Sequence, residues 1–250
     1  MKKKLKLNKA YLAFALVALI ILAFIVLSLV NFFKPGEEAP RADAELIPAT
    51  ANETPKAQSY AVSNLPALRK DDKFFGLADA PLKIFVYEDY TNIFSASLAD
   101  TMDRIKAEAG DQIAVVIRSY FKDAPLALKA AAAVDCAGEQ GKWVQMRALL
   151  FARAKNHQSL TPDFSDYIKQ LDLNGQAFAA CLTNAEKSGK IEKSVAEAET
   201  FMVQGTPTIF VGDEMIIGAR PYGSFVDSNG DKIEGLKAVV DKKLPAGGNQ

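Results

Sequence analysis

Hydrophobic positions divide this chain into three stretches of different character. From Ala10 to Phe33 no charged residue interrupts an apolar run. At about 1.5 Å per residue it makes a helix roughly 36 Å long, enough to cross a bilayer core of about 30 Å with some tilt. Residues 34–70 keep no steady period, and Pro35, Pro40, Pro48, Pro55 and Pro66 punctuate a stretch rich in Ala, Glu and Thr. Such a segment buries too little surface to order itself, and its prolines keep it extended, so it reads as a spacer. From 71 to 246 the pattern is that of one globular domain. Apolar runs predict strands at 82–88, 113–120, 208–212 and 214–218, the last two joined by a tight turn near Gly212-Asp213. Helical periods cover about 93–109, 125–200 and 234–244; within the long stretch Leu126, Ala130 and Ala133, then Trp143, Met146 and Leu150, recur on one face. Phe225 to Ile233 predicts a small hairpin turning at Asn229-Gly230.

Charge orients the first stretch. Residues 1–9 carry Lys2, Lys3, Lys4, Lys6 and Lys9, whereas the far flank has Lys34 ahead of Glu37 and Glu38. That asymmetry keeps the basic tail in the cytoplasm and sends the C-terminal domain across the membrane. A secretory signal has a shorter apolar core and a small-residue cleavage site, and neither is evident. The expectation is a single-pass protein of the cytoplasmic membrane with an extracytoplasmic domain. Across the whole chain 30 basic residues balance 30 acidic ones, so charge makes no case for a nucleic-acid partner.

The candidate chemistry lies in two segments. Val203-Gln204-Gly205-Thr206-Pro207-Thr208-Ile209-Phe210-Val211 sets a Thr-Pro bond immediately before an apolar strand. A proline opening a strand withholds no N–H from the ladder, and the bond before it is a plausible cis peptide. The run Ala80 to Tyr90 is the second segment, a strand leading through Thr91 into Asn92-Ile93-Phe94-Ser95. Asn is a good N-cap, so Asn92 suits the start of the helix that follows.

These two segments, with 112–121, Ala124 to Trp143 and Met215 to Tyr222, resemble the DsbA-like branch of the thioredoxin-fold family, in the family's own order. The resemblance implies an α/β thioredoxin fold with a helical subdomain inserted at about 123–200. It also implies that Asn92 and Ser95 stand where the family carries its two redox cysteines. An amide and an alcohol cannot form a thiolate or close a disulfide, so no catalytic residue is expected there. In the family the proline loop pairs with extended substrate peptide. Thr206 and Pro207 would keep that role through main-chain hydrogen bonds, with Tyr90, Ile93 and Phe94 as the apolar wall of a groove. The opposing reading makes these aromatics core residues and the groove vestigial.

Cys136 and Cys181 are the two cysteines of the chain, and DsbA-like relatives often carry cysteines at both places. A structural disulfide, two buried free thiols and a displaced redox pair all remain open. A bridge closing a loop of that length would stabilise the fold by roughly 4 kcal/mol. Other chemistries have little to work with. His157 is the single histidine, which leaves no multi-histidine metal site and gives a Ser–His mechanism only a lone loop residue. Asp227, Asn229 and Asp231 alternate as a calcium loop begins, but Lys232 stands where that loop needs Gly and Ala238 where it needs Glu. Gly138-Glu139-Gln140-Gly141-Lys142 has the wrong spacing for a phosphate loop, and Asn52-Glu53-Thr54 is too short a pattern to carry weight. No cofactor or metal is expected. The reading is a membrane-anchored, redox-inactive domain that binds unfolded or extended peptide, or an envelope protein. The alternatives are a thiol-disulfide oxidoreductase working through Cys136 and Cys181, and a purely structural envelope domain.

Overall fold

The computed structural model describes residues 58–122, 124–160 and 163–245. The expected membrane span at 10–33 and most of the spacer lie outside them. Among the described residues no helix is long and apolar enough to cross a membrane.

Two neighbouring apolar runs make the centre. β3 (Leu82–Glu88) and β4 (Ile113–Ser119) pair in parallel, Ile84 opposite Val115 and Val86 opposite Ile117. Parallel strands need a crossover, and α1 (Ile93–Ala109) provides it. It stops at Gly110, whose φ of 56° suits glycine and whose N–H returns to the Lys106 carbonyl. β5 (Thr208–Val211) adds antiparallel to the other side of β3, and β6 (Glu214–Ile217) follows it through a tight turn.

Both faces of β3 are buried, which is why its residues read as a continuous run rather than an alternation. Ile84 and Val86 pack with Leu98, Met102 and Ile105 of α1 and with Leu236 and Val239 of the last helix, α7 (Leu236–Lys243). On the opposite face Phe85 and Tyr87 meet Phe210, Met215 and Ala198. Between β4 and β5 the predicted helical stretch resolves, among the described residues, into five helices: α2 (Pro125–Glu139), α3 (Trp143–Lys155), α4 (Ser165–Gln170), α5 (Gly175–Leu182) and α6 (Ala185–Thr200). They share a core of their own built on Ala130, Cys136, Met146, Phe151 and Phe178.

Two expectations need correcting. The spacer does not run to residue 70. β1 (Gln58–Ala61) pairs antiparallel with β6 on the edge of the sheet, and β2 (Lys73–Phe75) pairs antiparallel with β4, giving the order β1-β6-β5-β3-β4-β2. The chain between them is tied down as well. Buried Arg118 of β4 donates to the Ala67 carbonyl at 2.6 Å and to both Asp72 oxygens at 2.9 and 2.8 Å, and Asn64 Nδ2 donates to the Thr200 carbonyl at 3.1 Å. Edge pairing draws on the backbone, so it leaves no hydrophobic period to read. The second correction concerns the hairpin of β7 (Phe225–Val226) and β8 (Lys232–Ile233). Its strands are joined by residues 227–231 rather than by a two-residue Asn-Gly turn. Asp227 organises that loop, its Oδ1 accepting the N–H groups of Asn229 and Asp231 at 2.9 and 3.0 Å.

Candidate functional site

Asn92 is extended, with φ −98° and ψ 124°, and caps α1 by accepting the Phe94 N–H on Oδ1 at 2.7 Å. A cap of this kind satisfies one of the four N–H groups that a helix start leaves open. The other end of the amide reaches across the domain. Nδ2 donates to the Thr206 carbonyl at 3.2 Å and lies 3.4 Å from Thr206 Oγ1. The Thr206–Pro207 bond is cis, as the sequence led us to expect, and its loop faces the start of α1. The loop is held from both sides: Thr208 Oγ1 donates to the Gly205 carbonyl at 2.8 Å, and the Pro207 carbonyl accepts the Gly218 N–H at 2.8 Å. Pro207 is buried and Thr206 half-buried.

Ser95 is fully buried one turn into α1, and its Oγ accepts the Asp89 N–H at 3.2 Å. The Asp89 carboxylate in turn accepts both the N–H and the hydroxyl of Thr91 at 2.7 Å, shaping the turn into the helix. Burial holds the Asp89 carboxyl above its usual range, although the Thr91 bonds pull it back. Beneath the turn Glu88 is bound by Arg147 of α3 in a two-pronged pair, Nε to Oε1 at 2.7 Å and Nη2 to Oε2 at 2.8 Å, with both residues buried. Burial raises the Glu88 carboxyl and Arg147 opposes the rise; burial also works against the Arg147 charge, yet Glu88 holds that guanidinium above its ordinary value. This pair connects the insertion to the strand that carries the site. It escaped the sequence reading, and its one signal was an arginine inside the apolar stripe of 143–151.

The expected wall is only partly present. Ile93 is half-buried and Phe94 is 40% exposed, so both stand at the surface beside Asn92. Tyr90 does not join them. It is 3% exposed and packs on Phe151 with ring centroids 5.6 Å apart, and burial pushes its phenol well above the usual value. Its ring is thus held against the insertion, not beside Ile93 and Phe94. His157 is exposed and left-handed at the end of α3, where its N–H returns to Ala154.

Cys136 and Cys181 form a disulfide that joins α2 to α5, with Cα atoms 5.7 Å apart. Their exposures are 0% and 7%, so the sulfurs are enclosed by the insertion's core. Thiol-disulfide exchange requires a thiolate that can approach its target, and burial of this disulfide works against such approach. The helix start presents hydrogen-bonding groups instead. The Thr206 N–H makes no hydrogen bond within the described residues and remains available as a donor.

The sequence profile of the thioredoxin family matches residues 69–228, more than half of the chain. Among solved structures, oxidised BdbD of Bacillus subtilis superposes with a TM-score of 0.56 at 20% identity, covering 74% of this chain and 98% of that one. The α-DsbA1 protein of Wolbachia pipientis gives 0.55 at 20% identity, over 71% and 92%. A periplasmic thioredoxin-like protein of Salmonella enterica gives 0.51 at 24%, over 69% and 90%. Curated relatives include the Na+/H+ antiporters NhaA 1 of Salinispora arenicola and NhaA 3 of Salinispora tropica. The first is 36% identical over 68% of this chain and 24% of its own length, the second 28% over 80% and 29%. The chain thus spans about a quarter of the length of these relatives. Family profile, strand order, helical insertion and cis-proline loop agree: this chain belongs to the thioredoxin family and has a DsbA-like fold.

Proposed function

We propose that this protein is a membrane-anchored, extracytoplasmic thioredoxin-fold protein that binds extended segments of envelope proteins and performs no thiol-disulfide exchange. The observation that carries the reading is Asn92, whose amide caps α1 and bonds to Thr206 from the place where the DsbA-like resemblance puts a cysteine. Peptide would pair with the Thr206 N–H and lie against Ile93 and Phe94, main-chain bonds supplying affinity. The Thr206 carbonyl already accepts from Asn92, so this pairing relies on the N–H more than in a thiol-bearing relative. The basic tail, the uncharged span at 10–33 and a disulfide, which persists in oxidising compartments, support the location. Ion transport by the antiporter relatives belongs to proteins about three times as long and is not proposed here.

The purified full-length chain should bind reduced, carbamidomethylated α-lactalbumin and should not accelerate insulin reduction. Asn92→Cys with Ser95→Cys should create insulin-reducing activity on the existing helix start. Insulin reduction by the unaltered chain that disappears in Cys136→Ser would overturn the reading in favour of the oxidoreductase.

A further inference from the structure

A cavity of about 200 Å³ lies between the turn that enters α1 and the helical insertion. Thr91 is part of its wall and immediately precedes Asn92, so the cavity sits one residue from the cap that meets Thr206. Leu150 and Leu160 are buried in its lining, and Leu126 of α2 is 44% exposed there. This is smaller than the space that takes a drug-sized ligand and suits a single residue. Its lining contains one charged group, Arg153 of α3, and no carboxylate.

Arg153 is incompletely partnered. One nitrogen, Nη2, donates to the Ser159 carbonyl at 3.3 Å, and the guanidinium lies 5.8 Å from the centre of the Tyr167 ring. Nε is buried with no acceptor, and among the described residues no carboxylate pairs with the side chain. Arg147 and Arg118, both buried, pair with Glu88 and Asp72, whereas Arg153 is half-buried and has no such partner among the described residues. The buried Nε of this half-buried side chain still lacks an acceptor, and a guanidinium is matched best by a carboxylate.

We propose that this cavity receives the free C-terminal residue of an extended peptide, an apolar side chain entering among the leucines and the terminal carboxylate pairing with Arg153. A C-terminal residue brings both groups on one Cα, as a one-residue cavity demands. The proposal rests on the peptide-binding reading above and narrows it to peptides ending in an apolar residue.

The test uses fluorescein-labelled Ala-Ser-Ala-Ser-Leu with a free carboxylate, the same peptide as its carboxamide, and a free-acid version ending in Ser. Each is titrated by fluorescence anisotropy against the full-length chain. The free acid ending in Leu should bind roughly tenfold or more tighter than the carboxamide, as expected for a hydrogen bond between charged groups. The version ending in Ser should also be weaker. Arg153→Gln should abolish the difference between acid and amide, and Arg153→Lys should keep part of it. Equal affinity of acid and amide for the unaltered chain overturns the proposal without any variant, as does an acid preference that survives in Arg153→Gln. Unfolded α-lactalbumin separates the two readings: if it binds while acid and amide are equal, the C-terminal pocket falls and general peptide binding stands. If neither probe binds, both fall.

Discussion

The start of α1 and the core of the insertion differ in where they put sulfur and where they put polar groups. At the helix start the half-buried Asn92 amide is hydrogen-bonded to a loop from the far end of the chain, and the fully buried Ser95 hydroxyl accepts the Asp89 N–H. In the insertion two sulfurs are joined and enclosed among alanines and aromatics. Exposure favours exchange chemistry in the first and ionisability is missing there; sulfur is present in the second and access is missing. A fold therefore supplies reactivity only when chemistry and access coincide at one place. In this chain the sulfurs and the half-buried helix start lie in different places, and the proposed binding reading rests on that separation.

The largest expected effect tests the insertion alone. Cys136→Ala with Cys181→Ala opens a loop of 45 residues and should lower unfolding free energy by about 4 kcal/mol in urea titrations. Capture of unfolded protein below the transition should be unchanged; its loss would show that the two regions are not separable. Next is the pair that links them. Arg147→Met leaves Glu88 as a buried, unpaired carboxylate and should cost about 3 kcal/mol, and adding Glu88→Gln should recover part of that. If the double variant is no more stable than the single one, packing rather than charge explains the loss.

Asn92→Ala should cost about 1 kcal/mol through the lost cap. Asn92→Asp separates the amide's two bonds, because it keeps an oxygen for Phe94 and loses the donor to Thr206. We expect the Asp variant to retain most of the stability while capture of peptide changes. The smallest effect is a slope with pH. The folded-state Asp89 carboxyl titrates above its unfolded value, so the folded state holds the proton more tightly. Its contribution is complete below the unfolded pKa and is lost as pH rises through the raised one. Asp89→Asn should flatten stability against pH over that interval. An unaltered slope would assign the pH dependence elsewhere.

Much of this fold was legible because its central strands are buried on both sides. Ile84, Phe85 and Val86 form a run that only a covered strand or a buried helix explains, and the turn after Glu88 decides between them. The cap at Asn92 and the proline loop were legible as local chemistry that needs no distant partner. The failures share a different physics. β1 was missed because a strand on an edge is held by its backbone while its side chains follow no pattern. Whether Tyr90 belongs to a groove wall or to the core stayed open because nothing near it in sequence announces Phe151, which packs on it from the insertion. Glu88 and Arg147 lie far apart along the chain, and each alone resembles an ordinary charged residue of a strand or a helix.

The edge pairing of β1 also has a mechanical side. Gln58 stands opposite Ile217, Ile217 opposite Thr208, and Thr208 opposite Tyr87, so one hydrogen-bonded row crosses the sheet from the first described strand to the centre. Thr208 is the residue after Pro207. At about 4.8 Å per strand, a pull on the chain ahead of Gln58 is applied roughly 10 Å from the loop that Asn92 holds. A load applied at Gln58 therefore reaches the Thr206–Pro207 loop across two strands instead of through the core.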